Sequence, residues 1–233
     1  MKKHSVISAD IVASTSLLPD ELSALRAKII RFIANLEQNH GGYGRIIKGD
    51  YIECYSPDPR KALRLAIALK CCVKSFILPS ISTTEKINAK RRKLFKDYAL
   101  RVSVGIGTMK PVDTFKGVLD GDAIYRAGRN LKDQNTSGKE KVIIKKCFFW
   151  TGDDEEKDLL CTAIGELIDN QLNRSTARQC DVLYYKLAEK SEAEIARITG
   201  LSQSTVNQHS TSIGSNAIIQ AINYIENNKQ LWK

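Results

Sequence analysis

Two aspartates stand where phosphate and metal chemistry would want them. Asp10 follows a short apolar segment, Ser5 to Ala9, that reads as a buried strand. Asp50 sits at the tip of a Lys48-Gly49-Asp50 turn, within a hairpin spanning Gly44 to Tyr55. If that hairpin pairs beside the first strand, the two carboxylates meet. Such a pair suits Mg²⁺, a hard ion that takes oxygen ligands and shares them with substrate phosphates. The backbone from Ile11 through Ser14 and Thr15 leads toward a helix, and amides so placed can cradle a triphosphate. Tyr125 and Arg129 fall one helical turn apart on a common face, where the arginine can neutralise charge developing on a phosphoryl group. Taken singly, Asp10 reads first as a helix or turn cap after a strand and Asp50 as a plain turn residue.

A second constellation lies near the C-terminus. Ser191 begins a helix over Glu192 to Thr199, with Glu194 placed for a capping box. Gly200 and Leu201 form a tight turn, and Ser202 caps a further helix from Gln203 to about Ser212. Ile195, Leu201 and Val206 plug a small core. Gln203, Ser204, Thr205, Asn207, Gln208 and Thr211 are left outward, short polar groups suited to base edges and phosphates. The competing reading is a packing or dimerisation module. Ser175 to Lys233 carries six basic residues against five acids, close to neutral for a DNA-facing segment.

The elements that must position these groups follow from periodicity. Leu22, Leu25, Ile29, Ile33 and Leu36 recur at helical spacing over Asp20 to Asn39. Pro59 opens a second helix carrying Leu63, Ala66, Ile67 and Val73. Residues from Pro79 to Asp97 are polar and basic, expected as a loop with some helix. Arg101 to Thr108 alternates as a strand, Asp120-Gly121-Asp122 caps a helix from Ala123 to about Lys132, and Lys141 to Trp150 reads as a last strand. The charged stretch Thr151 to Asp158 is the best domain boundary, and every later segment is helical, the last over Ala217 to Trp232. The order β-α-β-β-α-β-α-β is that of a ferredoxin-like core extended by one helix and strand, with its helices expected on one face.

The chain has 233 residues, enough for one good core and a smaller second one. No apolar run approaches the roughly 18–20 residues needed to cross a bilayer. Asp10 interrupts the N-terminus before a signal-like stretch can form, so the expected location is cytoplasmic, with no membrane partner. Six cysteines form no C-x-x-C pair, which favours buried free thiols over a zinc site. The net charge of +10 invites a nucleic-acid reading, yet the excess lies upstream, notably in Lys86, Lys90, Arg91, Arg92, Lys93 and Lys96. A run of that kind reads first as a solvated helix or loop and second as a phosphate-contacting surface.

Three stretches, ISADIVASTSL, GRIIKGDYIECY and GDAIYRAGRNL, resemble class III nucleotidyl cyclases over about 130 of the first 150 residues. The resemblance implies that Asp10 and Asp50 are metal carboxylates, that Arg129 is the transition-state arginine, and that the domain works as a homodimer. The sequence departs from the pattern at three positions. The ribose-orienting asparagine falls on Tyr125, and the base-reading positions on about Ile46 and Val118, which offer a purine edge no donor or acceptor. TARQCDVLYYKLAEKSEAEIARITGLSQSTVNQH resembles the helix-turn-helix of LuxR-type regulators and sigma-factor region four, which implies DNA as a partner. The combination resembles the SatD family of bacterial proteins.

The expected architecture is therefore α+β. It comprises a ferredoxin-like, cyclase-type domain over residues 1–150, a helical linker over 151–174, and an all-α helix-turn-helix domain without a wing over 175–233. The expected function is a DNA-binding transcriptional regulator whose N-terminal domain dimerises and senses a nucleotide. The alternatives are an active Mg²⁺-dependent cyclase with the helix-turn-helix as an accessory, and an interaction protein using neither site.

Overall fold

In a computed structural model, residues 2–79, 86–110, 112, 117–132, 144 and 146–232 are described. Five strands make one sheet: β1 (His4–Ile11), β2 (Tyr43–Ile47), β3 (Tyr51–Ser56), β4 (Leu100–Gly107) and β5 (Phe148–Thr151). Their order is β2-β3-β1-β4-β5. The pairs among β2, β3, β1 and β4 are antiparallel, and β5 lies parallel to β4. Helix α1 (Pro19–His40) links β1 to β2, while α2 (Ala62–Lys74) and α3 (Lys86–Tyr98) link β3 to β4. The first four strands thus take the connectivity and order of a βαββαβ unit. The expected last strand from Lys141 is seen as a strand only from Phe148; residues 141–143 and 145 lie outside the described residues. The segment expected as a loop with some helix, Pro79 to Asp97, contains all of α3 but its last residue, and Phe95 of α3 is buried in the core.

Alternation along the strands sorts side chains onto two faces. Ile7, Ala9 and Ile11 of β1, Ile52 and Cys54 of β3, and Val102, Val104 and Ile106 of β4 join the main core with α1 and α2. The other face is mostly polar but is not open. Helix α4 (Asp122–Lys132) packs there, its Ala123 and Ala127 joining Val6 and Tyr55 in a smaller cluster. The expectation of helices on one face is corrected accordingly. Two glycines permit the approach: a Cβ on Gly105 would lie 2.6 Å from the Ala127 amide nitrogen, and one on Gly107 would lie 2.9 Å from that of Ala123. Their place in an alternating strand leaves a channel without side chains for α4.

Helix α2 is buried along its whole length, charged residues included. The sequence pattern marks one apolar face, but the chain covers the other with the helices after β5: α5 (Glu155–Arg174), α6 (Ala177–Leu187), α7 (Glu192–Thr199), α8 (Gln203–Ile213) and α9 (Ser215–Asn227). Cys161, Ile168, Leu172, Cys180, Leu183, Leu187, Ile213, Ile218, Ile222 and Ile225 join the same core as the sheet. The buried cations of α2 find partners in or beside that layer. Arg64 donates to Glu226, Asn223 and the Leu187 carbonyl at 2.7–3.1 Å. Lys70 pairs with Asp169 of α5, and Lys74 donates to the carbonyls of Lys96 and Asp97, each at 2.7 Å. Buried charges are costly unless paired in this way, so α2 holds its covering helices in register. All six cysteines are free and buried, and burial pushes the thiols of Cys54, Cys72, Cys147 and Cys161 up to about 12. No described helix is long and apolar enough to cross a membrane.

Candidate functional site

The β1–β3 pairing brings the two candidate carboxylates to the same end of the sheet. Asp10 sits opposite Tyr51, the residue after Asp50, and the Ile11 amide donates to the Asp50 carbonyl at 3.0 Å. Each carboxylate is already engaged. The guanidinium of Arg101, which faces Asp10 directly across the β1–β4 ladder, binds both its oxygens, with Nε at 2.8 Å from Oδ1. Asp50 accepts from the Ser14 hydroxyl at 2.8 Å. A divalent cation at Asp10 would have to displace a two-point charged contact whose arginine side chain is only 10% exposed. Among the described residues no cluster of three or more His, Cys, Asp or Glu side chains is arranged to hold a metal. As arranged, the donor set does not fit Mg²⁺.

The segment after β1 is also partly committed. Of the amides expected to cradle phosphates, Ile11 donates to Asp50 and Val12 to the Ala99 carbonyl, at 2.9 Å. Ala13 takes a left-handed backbone, φ 52°, and Ser14 to Ser16 form a single 3₁₀ turn rather than the start of α1. Thr15 is exposed, and Ser14 spends its hydroxyl on Asp50.

Helix α4 carries Arg129 over this end of the sheet. A Cβ at Gly128 would lie 3.7 Å from the Tyr51 hydroxyl, so the helix runs directly above Tyr51. Burial holds the Tyr51 phenol above its ordinary pKa of 10.0. Arg129 is exposed and has no hydrogen-bond or ion-pair partner among the described residues. Tyr125, one turn earlier, is 58% exposed and donates to Asp120 at 2.9 Å. Asn130 reaches across the sheet to Ser103 and Thr151, at 3.2 and 2.9 Å. The polar face therefore presents Asp10, Arg101 and Tyr51 at one end, with Arg129 on the exposed side of the helix that covers it. Arg101 and Tyr51 were not singled out from the sequence. Alternation within Arg101 to Thr108 does put Arg101 opposite Val102, but only the strand pairing sets it against Asp10.

The second candidate surface is the corner between α7 and α8. Local signals build it as expected. Ser191 accepts from the Glu194 amide while Glu194 accepts from the Ser191 amide, a complete capping box. The backbone hydrogen bonds around Ser191 hold the Glu194 carboxyl at about 2. Gly200 ends α7 at φ 71°, a conformation that disfavours any side chain, and Ser202 accepts from the Thr205 amide to start α8. Val182 of α6, Ile195 of α7 and Val206 of α8 are fully buried together, with Tyr185, Ala196 and Leu201 packed around them.

Outward, Gln203, Ser204, Asn207, Gln208 and Thr211 are exposed. Gln203, Gln208 and Thr211 have no side-chain hydrogen bond among the described residues. Ser204 and Thr205 are drawn to the Ser202 hydroxyl, at 2.9 and 2.8 Å, and Thr205 is half-buried. Asn207 leans toward Glu192 at 3.4 Å, and Glu192 is neutralised by Lys186 at 3.0 Å. The upstream basic run is a helix with Lys90, Arg91, Lys93 and Lys96 exposed. Arg92 turns inward to bind both oxygens of Glu21, at 2.7 and 2.8 Å.

No family model matches the chain, and no curated protein matches it. Among solved structures it is similar to one described as the adenylate cyclases of Trypanosoma brucei in their monomeric state. The match has 19% identity over 55% of this chain and 68% of that chain, at a TM-score of 0.35, a likeness too loose to carry an argument.

Proposed function

We propose that the chain is a DNA-binding transcriptional regulator in which α7 and α8 form a helix-turn-helix, with α8 as the recognition helix. The observation that carries this reading is the outward face of α8. Gln203, Gln208 and Thr211 stand free of intramolecular hydrogen bonds among the described residues, while Val206, Ser210 and Ile213 anchor the opposite side. Amide and hydroxyl side chains presented near a helix start are the groups that read base edges in a major groove. The α6–α8 unit also shares its core with the sheet, so a change in the N-terminal part reaches α8 through packed side chains rather than a loose tether.

The N-terminal part is, on this proposal, a cyclase-derived domain that dimerises and binds a nucleotide without converting it. The Asp10–Arg101 contact supports binding over turnover, because the carboxylate that a metal would need is occupied. The enzymatic alternative draws on Arg129, exposed and unpartnered among the described residues at the same end of the sheet. A two-fold dimer would set two copies of α8 about one duplex turn apart, near 34 Å, and would favour palindromic sites. The test is an electrophoretic shift against genomic fragments, with and without nucleoside triphosphates. Retention of discrete fragments supports the regulator; absence of any shift, with cyclic nucleotide produced, supports the enzyme.

A further inference from the structure

A cleft of about 570 Å³ opens between the β3–α2 junction, the first turn of α5 and the end of α9. Its walls carry four cations, Lys3, Arg60, Lys157 and Lys229, against two carboxylates, Asp58 and Glu226. Both carboxylates are spoken for: Asp58 by Arg60 at 2.9 Å, and Glu226 by Arg64 and Lys61 at 2.7 and 3.2 Å. Lys3 is likewise paired, with Asp153 at 2.8 Å.

Lys157 differs from the others. The residue is 4% exposed, lines the cleft, and its ammonium has no hydrogen-bond or ion-pair partner among the described residues. The Trp232 ring lies beneath it, with the ammonium 5.1 Å from the centroid, and the Asp158 carboxylate, which accepts from the Gly152 amide, lies within electrostatic reach. Trp232 is itself fixed, its indole N–H donating to the Ile225 carbonyl at 2.6 Å. Glu155 and Glu156, beside Lys157 on α5, are exposed and do not line the cleft. An ammonium on a buried residue, held over an aromatic face without an ion-pair partner among the described residues, and a second such cation, Lys229, at the rim, give the cleft a positive lining.

We propose that this cleft binds a small organic anion, a phosphate- or carboxylate-bearing metabolite whose anionic group meets Lys157 beside Trp232. The volume lies within the usual range of roughly 300–1,000 Å³ for small-molecule sites, and the position between two parts of a chain is a common one for them. Glu226 lines the same cleft and holds Arg64 of α2, so an occupant would sit beside the ionic network that joins the sheet layer to α9. The inference does not depend on α8 contacting DNA.

The two tryptophans make the test self-controlled. In 5-fluorotryptophan-labelled protein, fluorine NMR gives one resonance for Trp232, assigned by its loss in Trp232→Phe, and one for Trp150, a core residue of β5. The full chain is titrated separately with inorganic phosphate, AMP and citrate, each against chloride at equal ionic strength. A saturable shift of the Trp232 resonance alone is expected with at least one probe, and the responding probe tells phosphate from carboxylate recognition. Lys157→Gln should weaken that binding about tenfold or more, as loss of a charged hydrogen bond requires. Lys229→Gln, at an exposed position that cannot disturb the fold, should weaken it severalfold and decides the matter if Lys157→Gln fails to fold. No probe acting beyond chloride, or unchanged affinity in the folded variants, overturns the proposal.

Discussion

Asp10 and Arg101 face one another directly across the β1–β4 ladder and are joined by a two-point carboxylate–guanidinium contact on the polar face of the sheet. The side chains are 23% and 10% exposed. Arg101→Gln takes from Asp10 its two-point partner and should cost about 3 kcal/mol, and Asp10→Asn, which breaks the same contact, should also destabilise. The double substitution should cost clearly less than the sum, because both groups leave together. Urea unfolding of the four proteins measures this. Millimolar Mg²⁺ should leave the wild-type midpoint where it was; a rise would mean that the carboxylate is open to metal.

Acid should loosen the attachment of α3 to α1. Arg92 holds the buried Glu21 carboxyl below its ordinary value of 4.5. A depressed carboxylate contributes its full stabilisation above the unfolded value and loses it as pH falls through the folded one. Glu21→Gln should therefore cost about 3 kcal/mol at neutral pH. The gap to wild type should narrow as pH drops below 4.5. Thermal melts from pH 3 to 7 would show it; a gap independent of pH would contradict it.

The approach of α4 to the sheet depends on a missing side chain. A Cβ at Gly105 would meet the backbone of both Ala123 and Ala127, which cannot swing aside as a side chain can. Gly105→Ala should cost roughly 3 kcal/mol through overpacking and lift α4 from β4. Hydrogen exchange confined to α4 would report the displacement, and a variant as stable as wild type would count against the packing described.

What could be read from the sequence was what is local. Ser191, Glu194, Gly200 and Ser202 specify the α7–α8 corner within a dozen residues, and each takes its expected role. The strand order follows from the sequence of elements. The burial of α2 does not. Arg64 and Lys70 look like a solvent face until Glu226 and Asp169, 162 and 99 residues away, close over them. The same limit hid Arg101. Alternation fixes which face a side chain takes, but its cross-strand partner depends on register, which is a property of the assembled sheet. The glycines of β4 carried a signal, the last two positions of one face, Gly105 and Gly107, without side chains, and it points to the helix on that face.

The central claim is that α8 reads DNA, and one comparison tests it most directly. Fragments retained by the wild-type chain are titrated by fluorescence anisotropy against Asn207→Ala/Gln208→Ala protein, alongside scrambled duplexes of the same composition. Both residues are exposed on the side of α8 away from Val206, so the variant should melt as the wild type does. Each amide-to-base contact carries about 1–3 kcal/mol of discrimination, so preference for the selected fragments should fall at least tenfold while weak binding to scrambled duplex persists. A folded variant with undiminished preference, or a wild type that prefers no fragment, would contradict the account.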